Sequence, residues 1–252
     1  MYITLNDITF YYEKFGSSKK TILILPGWGN TRETFRYMIN ELKKQYTIYI
    51  LDYPGLGKSP IPNRHLTIYD YTELIIHFMK EKNIKKPIVI AHSFGGRITI
   101  LLSGYYKIKL DKLILIDIAG IKPKKKLKIL IKEKIYKLLK KCAKLLPPLH
   151  QQTYKQKLLK LFASNDYSNL PQGMHQTFKN IINEDLTKHF KNINNDTLIL
   201  WGESDDDTPL KDAYKIKRLV KNSALIILKN ATHYSYLIYP ELTNQIIYEF
   251  IK

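Results

Sequence analysis

The sequence has almost none of the residues that mark an oxidising compartment or a membrane span. Its 252 residues include one cysteine, Cys142, so no internal disulfide can form, and a cytoplasmic location is expected. No run reaches the roughly 18 uncharged apolar residues that a membrane-spanning helix needs. The first residues, MYITLNDITFYYEKFG, alternate polar and apolar positions and include Asp7 and Glu13, unlike a secretory signal.

Arginine is scarce, although the chain is strongly basic. Lysine and arginine total 41 against 22 acidic residues, for a net charge of +19, yet only five of these basic residues are arginine. Proteins that read nucleic acids commonly use the arginine fork on guanine and phosphate. The lysine excess therefore indicates a compositional bias, and no nucleic-acid partner is expected.

The positive charge is concentrated in one segment. Residues 121–160 hold fourteen lysines against Glu133, a net charge of +13. Apolar residues recur there at helical spacing, at Leu127, Leu130, Ile131, Ile135, Leu138, Leu139 and Leu145. One interpretation is an amphipathic lid whose lysines are solvated. The other is a basic lid that contacts anionic lipid or an anionic substrate. The first is favoured because lysine is abundant elsewhere in the chain.

Strand-like and helix-like segments alternate along the chain. β-Strands are predicted at 2–5, 8–15, 21–25, 46–51, 87–91, 112–117, 196–201 and 224–229, and helices at 31–44, 69–83, 95–106, 210–222 and 241–252, with Thr31 as a helix N-cap. This alternation predicts an α/β fold with a mostly parallel, roughly eight-stranded sheet and helices on both faces. No strand-like run occurs between residues 121 and 192. The predicted organisation is therefore a core of residues 1–120 and 193–252 with a helical cap, 121–192, inserted after the sixth strand.

Polar residues with catalytic potential follow three of the predicted strands. Ser93 follows the fifth strand, Asp205 the seventh and His233 the eighth. Ligands bind beyond the carboxyl ends of parallel strands, so these side chains are expected at one edge of the sheet. A serine nucleophile needs a base within hydrogen-bond reach, and that base needs an acid to orient it. Small residues at Ala91 and Gly95 allow the sharp turn that exposes Ser93.

An acyl-transfer site also needs two backbone N–H groups directed at the oxyanion of its transition state. Phe94 begins the helix after Ser93 and can donate one of them. Trp28 lies in the glycine-flanked loop after the third strand and can donate the other.

Taken together, five motifs resemble the α/β-hydrolase fold superfamily, in its capped serine hydrolase branch. They are LPGWGN (25–30), DYPGLGKS (52–59), AHSFGG (91–96), LILWGESDDDTP (198–209) and NATHYSYLIYPE (230–241). The resemblance implies Ser93 as nucleophile, His233 as base and Asp205 as acid. Asp206 and Asp207 compete with Asp205 for this role, and Asp117 is the fallback acid. Two positions depart from the family pattern: Pro26-Gly27 replaces the usual His-Gly, and Ala91 stands where glycine is commoner.

The resemblance implies a carboxylic ester hydrolase that forms an acyl-enzyme and acts on a small-molecule acyl ester. No cofactor or metal is expected, and the other histidines are interpreted as structural: His92 as a packed residue, His77 on a helix, and His65, His150, His175 and His189 in loops or the cap. Alternatives are a carbon–carbon bond hydrolase of dienoate products, another acyl hydrolase or acyltransferase, and a catalytically silent ligand-binding protein. The absence of arginine from residues 121–192 counts against the dienoate alternative.

Overall fold

The computed structural model describes residues 1–122, 135, 139, 154, 167, 170–171 and 173–252. The strands are β1 Tyr2–Leu5, β2 Ile8–Phe15, β3 Thr21–Leu25, β4 Thr47–Asp52, β5 Ile88–His92, β6 Lys112–Ile116, β7 Asp196–Gly202 and β8 Ser223–Leu228. The helices in the described part are α1 Arg36–Leu42, α2 Ile68–Glu81, α3 Phe94–Gly104, α4 Met174–Asn183, α5 Thr187–Phe190, α6 Leu210–Leu219, α7 Ser235–Ile238 and α8 Pro240–Ile251.

The strands form one sheet in the order β1-β2-β4-β3-β5-β6-β7-β8. The first two strands are antiparallel to their neighbours, and all pairs from β4 to β8 are parallel. This confirms the predicted eight-stranded, mostly parallel sheet. The carboxyl ends of β3, β5, β7 and β8 consequently lie along one edge, where the predicted functional residues follow them.

Apolar residues cover both faces of the sheet, as predicted. On one face, Phe35, Met38 and Leu42 pack with Ile247 and Ile251 from α8. On the other face, residues of α2, α3 and α6 form a second cluster. The central strands β3 and β5 are buried on both faces, which explains their continuous β-branched and apolar sequences.

The start of the first helical segment differs from the prediction. A short 3₁₀ helix, Arg32–Phe35, precedes α1, and the Thr31 side chain makes no capping hydrogen bond. Instead, the Thr34 hydroxyl donates to the Thr31 carbonyl oxygen at 2.9 Å. By contrast, the side chain of Thr67 accepts from the Asp70 N–H and forms a complete capping box at the start of α2.

The inserted segment lies between β6 and β7. Its described residues include α4 and α5, and α4 buries Met174, Thr177, Phe178 and Ile181. Most of the lysine-rich segment, and with it the predicted helix over 127–145, lies outside the described residues. Within the part of the chain that the structure describes, no helix combines the length and the apolar character required to cross a bilayer.

Candidate active site

Ser93 occupies a sharp turn between β5 and α3. Its backbone φ is +47°, a conformation that side-chain-bearing residues seldom adopt. Two residues later, a Cβ on Gly95 would lie 1.9 Å from the Leu25 carbonyl oxygen, so only glycine fits there. The Gly95 N–H instead donates to the Pro26 carbonyl oxygen at 3.0 Å. The turn is therefore fixed against the end of β3 with the Ser93 hydroxyl at the sheet edge.

Ser93, His233 and Asp205 form a continuous hydrogen-bonded chain. The Ser93 hydroxyl donates to His233 Nε2 at 2.9 Å, and His233 Nδ1 donates to Asp205 Oδ2 at 2.9 Å. The His233 side chain is 12% exposed and that of Asp205 is fully buried. The three residues predicted from separate strand ends are thus brought within contact distance, in the arrangement that a serine nucleophile requires.

Asp205 is held by donors from its own loop. Its Oδ1 accepts from the backbone N–H groups of Asp207 and Thr208, each at 2.8 Å. Its Oδ2 accepts from the Thr208 hydroxyl at 2.6 Å. Burial alone would raise the pKa of Asp205, but the hydrogen bonds from His233 and Thr208 outweigh it and lower the pKa. Thr208 was not singled out in the sequence, although a threonine three residues after an aspartate is a known local hydrogen-bonding pattern.

The pairing with Asp205 also shifts the pKa of His233. Burial alone would lower the pKa of this imidazole, but its hydrogen bond to Asp205 and the charge of that carboxylate raise the pKa above the ordinary value. Asp205 therefore stabilises the protonated form of His233.

Asp117, the alternative acid, makes its hydrogen bonds with residues other than His233. Its Oδ1 accepts from the Gly202 N–H at 2.7 Å, and its Oδ2 accepts from the Ser235 hydroxyl at 2.5 Å. Burial raises the pKa of Asp117, and the hydrogen bonds from Ser235 and Gly202 oppose this change. The net result is a pKa of about 7. Asp117 thus connects the end of β7 to the segment just after His233. It supports the loops that carry Asp205 and His233 and does not bond the imidazole itself.

The two proposed oxyanion donors border the same space. The backbone N–H groups of Trp28 and Phe94 donate to no residue that the structure describes, and both residues line the cavity at Ser93. Their rings also pack edge to face, with centroids 5.1 Å apart. The loop and the helix start are therefore held next to each other at this point.

His92 does more than pack beside the turn. It is fully buried, and burial, with the neighbouring His233, lowers its pKa to about 3, so it is neutral at physiological pH. Its Nε2–H donates to the His233 carbonyl oxygen at 2.8 Å, while its Nδ1 accepts from the Asn30 amide at 3.2 Å. A Cβ on Gly27 would lie 2.7 Å from His92 Nδ1, so that residue must be small. His92 thus connects the loop of Trp28 to the loop of His233.

A cavity of about 220 Å³ opens at Ser93. Its described lining comprises Gly27, Trp28, Asn30, His92, Ser93, Phe94, Arg97, Ala119, Phe178, Ile181, Ile182, Asp207, Thr208, His233 and Tyr234. Polar groups from the strand ends form one wall. The side chains of Phe178, Ile181 and Ile182 from α4 form an apolar wall facing it.

One cluster in the described part of the chain has a spacing that suits a metal ion. Asp205, Asp207 and His233 each place one potential ligand atom within 4.8 Å of the others. However, the atoms of Asp205 and His233 are already engaged with each other and with Thr208. Within this cluster, Asp205 and His233 therefore form a hydrogen-bonded pair.

The remaining predicted residues lie away from the cavity. The motif at 52–59 is a turn in which Asp52 Oδ2 accepts from the Lys58 N–H at 2.8 Å. His77 is on α2, where its Nδ1 accepts from the Asn6 amide at 2.9 Å. His65 is in a loop, His175 and His189 are on α4 and α5, and His150 is outside the described residues.

The chain is similar to a known protein family, to named relatives and to solved structures. The model of the alpha/beta hydrolase fold family matches residues 20–240. The pimeloyl-[acyl-carrier protein] methyl ester esterase of Wigglesworthia glossinidia brevipalpis is 28% identical, over 96% of this chain and 98% of its own. The 2-hydroxy-6-oxononadienedioate/2-hydroxy-6-oxononatrienedioate hydrolase 1 of Pseudomonas putida is 21% identical, over 97% of this chain and 92% of its own. The solved structure of a thermophilic esterase from Thermogutta terrifontis shares the fold, with a TM-score of 0.76 and 18% identity over 100% of this chain and 97% of that one.

Proposed function

The chain belongs to the alpha/beta hydrolase fold family, and from this we propose that it hydrolyses a carboxylic ester through an acyl-enzyme on Ser93. Its matched relatives include an esterase and other named hydrolases, which support hydrolase activity. The observation that carries the proposal is the chain of 2.9 Å hydrogen bonds from Ser93 through His233 to Asp205 at the cavity.

In the first half of the reaction, the Ser93 hydroxyl transfers its proton to His233 Nε2 as Oγ forms a bond to the ester carbonyl carbon. The carbonyl oxygen becomes an oxyanion, which the backbone N–H groups of Trp28 and Phe94 stabilise. Asp205 balances the positive charge on His233. His233 then returns the proton to the departing alkoxide, the carbon–oxygen bond of the ester breaks, and the alcohol leaves an acyl group on Ser93.

In the second half, water takes the place of the alcohol. It gives a proton to His233 as its oxygen attacks the acyl carbon, and the same N–H groups hold the second oxyanion. The bond between Ser93 Oγ and the acyl carbon then breaks, Oγ recovers its proton from His233, and the carboxylic acid leaves. Every step uses groups of this chain, the ester and water, so the proposal requires no cofactor.

The test is hydrolysis of p-nitrophenyl esters from acetate to palmitate by the wild-type protein and by Ser93→Ala. We expect activity that falls by at least about 10³-fold in the variant, and covalent labelling of Ser93 by an organophosphonate. The acyl length preferred by the wild type measures the depth of the cavity.

Other outcomes point to the alternatives. If wild type and variant are equally inert and the organophosphonate does not label Ser93, the ester proposal is wrong, and a ligand-binding role is favoured. If Ser93 is labelled but no ester is cleaved, carbon–carbon bond cleavage becomes the next candidate. The name of the Pseudomonas putida relative, a hydrolase of a dienedioate, supports testing that class of substrate.

A further inference from the structure

A buried cation shares the cavity with Ser93. Arg97 lies near the start of α3, four residues after Ser93, which occupies the turn that precedes the helix. The residue is 5% exposed and lines the cavity. Among the lining residues that the structure describes, it is the one lysine or arginine.

The charge of Arg97 is not balanced by an ion pair with any residue that the structure describes. Among the described residues, its guanidinium makes one hydrogen bond, from Nη1 to the Glu184 backbone carbonyl oxygen at 2.9 Å. A guanidinium has five N–H donors. No carboxylate of the described residues lies within ion-pair distance of Arg97, and the acceptor that the described residues supply to it is the Glu184 carbonyl oxygen.

The two nearest acids are engaged by other groups. Glu184 accepts a hydrogen bond from the Tyr69 hydroxyl at 3.1 Å, and Asp185 accepts from the Thr187 hydroxyl at 2.6 Å. Burial lowers the pKa of Arg97 to about 10, although the charges of Asp185 and Glu184 oppose this change. Arg97 therefore stays protonated at neutral pH.

Placing a charge in a buried site without an ion-pair partner is costly. The cavity lining also includes the apolar side chains of Phe178, Ile181 and Ile182. Asp207, the carboxylate among the described lining residues, lies in a cluster with Asp205 and His233. A substrate with an apolar chain and an anionic end fits this distribution of charge.

We propose that Arg97 binds a carboxylate of the substrate, so that the enzyme prefers esters that carry a negatively charged group. This inference rests on the proposed ester hydrolysis, because it names the substrate class of the same site. Arg97 sets specificity and takes no part in bond making, since Ser93 and His233 carry out that chemistry. Carboxylate is favoured because the planar guanidinium fork matches it with two parallel hydrogen bonds.

The first test needs no variant. Wild-type kcat/KM is compared for p-nitrophenyl hydrogen glutarate and p-nitrophenyl glutaramate, in which an amide replaces the terminal carboxylate at nearly the same size. We expect the carboxylate ester to be at least about tenfold better. Equal values, or a preference for the amide, would overturn the inference while leaving ester hydrolysis established.

The second test uses Arg97→Met and its matched control Arg64→Met. Arg64 is an exposed arginine that pairs with Asp70 and does not line the cavity. We expect R97M to bring the carboxylate-to-amide ratio of kcat/KM close to one, R97K to restore part of it, and R64M to retain the wild-type ratio. A wild-type ratio in R97M overturns the proposal. If R97M does not fold, the wild-type comparison decides alone.

A direct binding measurement separates failure of this inference from failure of the proposed function. Isothermal titration of the wild type with glutarate and with glutaramide reports the carboxylate subsite whether or not any ester is cleaved. Tighter binding of glutarate without esterase activity supports the subsite and rejects the ester proposal. Equal binding of the two compounds rejects the subsite.

Discussion

The two walls of the cavity are built in different ways. The wall of strand ends carries Ser93 and His233 on loops that hydrogen bonds connect to one another and to the sheet. The wall from α4 presents Phe178, Ile181 and Ile182, which offer apolar surface and no hydrogen-bonding side chain. The first wall is suited to moving protons and the second to selecting the shape of a ligand.

The walls also differ in how they are attached to the core. The turn of Ser93 follows β5, which has a parallel strand on each side, and the loop of His233 follows β8, which pairs with β7. Helix α4 and the residue after it contact the core through a few side-chain bonds, such as the Leu66 N–H to the Thr177 hydroxyl at 3.1 Å and Arg97 to the Glu184 carbonyl oxygen at 2.9 Å. Changes in the wall of strand ends should therefore lower kcat, and changes in the α4 wall should alter substrate preference.

The largest expected effect is on the acid of the first wall. Asp205→Asn should lower kcat by about 10³-fold to 10⁴-fold, because the amide cannot stabilise protonated His233 and favours the wrong tautomer. Steady-state kinetics on a p-nitrophenyl ester measures the loss. Asp206→Asn removes an exposed neighbouring charge and should change kcat little. A large loss in Asp117→Asn with activity retained in D205N would identify Asp117 as the acid instead.

A smaller loss is expected when the connection between the two loops is removed. His92→Phe keeps a ring next to Tyr236 but leaves the His233 carbonyl and the Asn30 amide without their partner. We expect kcat to fall by roughly tenfold to a hundredfold with little change in KM, since the catalytic loops lose their alignment. His92→Gln, which retains a donor and an acceptor, should recover part of kcat. An equal loss in both variants would mean that only packing matters.

In the α4 wall, the expected effect is on selectivity. Phe178→Ala enlarges the cavity and removes a ring whose centroid lies 5.2 Å from that of Trp28. The ratio of kcat/KM for long to short acyl chains should rise by roughly threefold to tenfold. The matched variant Phe250→Ala, on the other face of the sheet, should leave the acyl-length profile unchanged. A uniform drop in kcat at all acyl-chain lengths in F178A would mean that the α4 wall does not control substrate preference.

The smallest expected effect is a shift in the pH dependence of kcat/KM. His233 must be neutral to accept the proton of Ser93, so kcat/KM should fall as the pH drops through the pKa of His233. Since Asp205 raises that pKa, the half-maximal point of the wild type should lie above pH 6.5. In D205N the acid limb should move to lower pH. Asp117 has a pKa of about 7, so an acid limb that stays fixed in D205N would assign the limb to Asp117.

The sequence was sufficient to predict much of the wall of strand ends. Buried parallel strands have continuous apolar sequences, so their ends could be located, and the geometry of a parallel sheet brings those ends to one edge. Ser93, Asp205 and His233 could therefore be grouped before their distances were known. Their catalytic roles stay predictions until the experiments above are made.

The connections that support these residues could not be predicted. His92 and the His233 carbonyl are 141 residues apart in the chain, and their contact depends on how the loops of β5 and β8 pack together. The Ser235 hydroxyl donates to Asp117, 118 residues earlier in the chain, and the Thr208 hydroxyl donates to Asp205 in a local pattern that the sequence analysis did not single out. The Thr31 prediction was right in position and wrong in the bond: Thr31 is the N-cap of the 3₁₀ helix, but its side chain accepts no hydrogen bond from the helix N–H groups.

The order of the functional groups along the chain has a consequence for synthesis on the ribosome. The loop of Trp28 and the turn of Ser93 are made first, whereas Asp205 and His233 follow only with β7 and β8 at the far edge of the sheet. A nascent chain that has folded β3 and β5 carries an unactivated serine hydroxyl, which is a weak nucleophile. Under the proposed mechanism, Ser93 is activated only when the last strand docks, and a partly made chain does not form the acyl-enzyme.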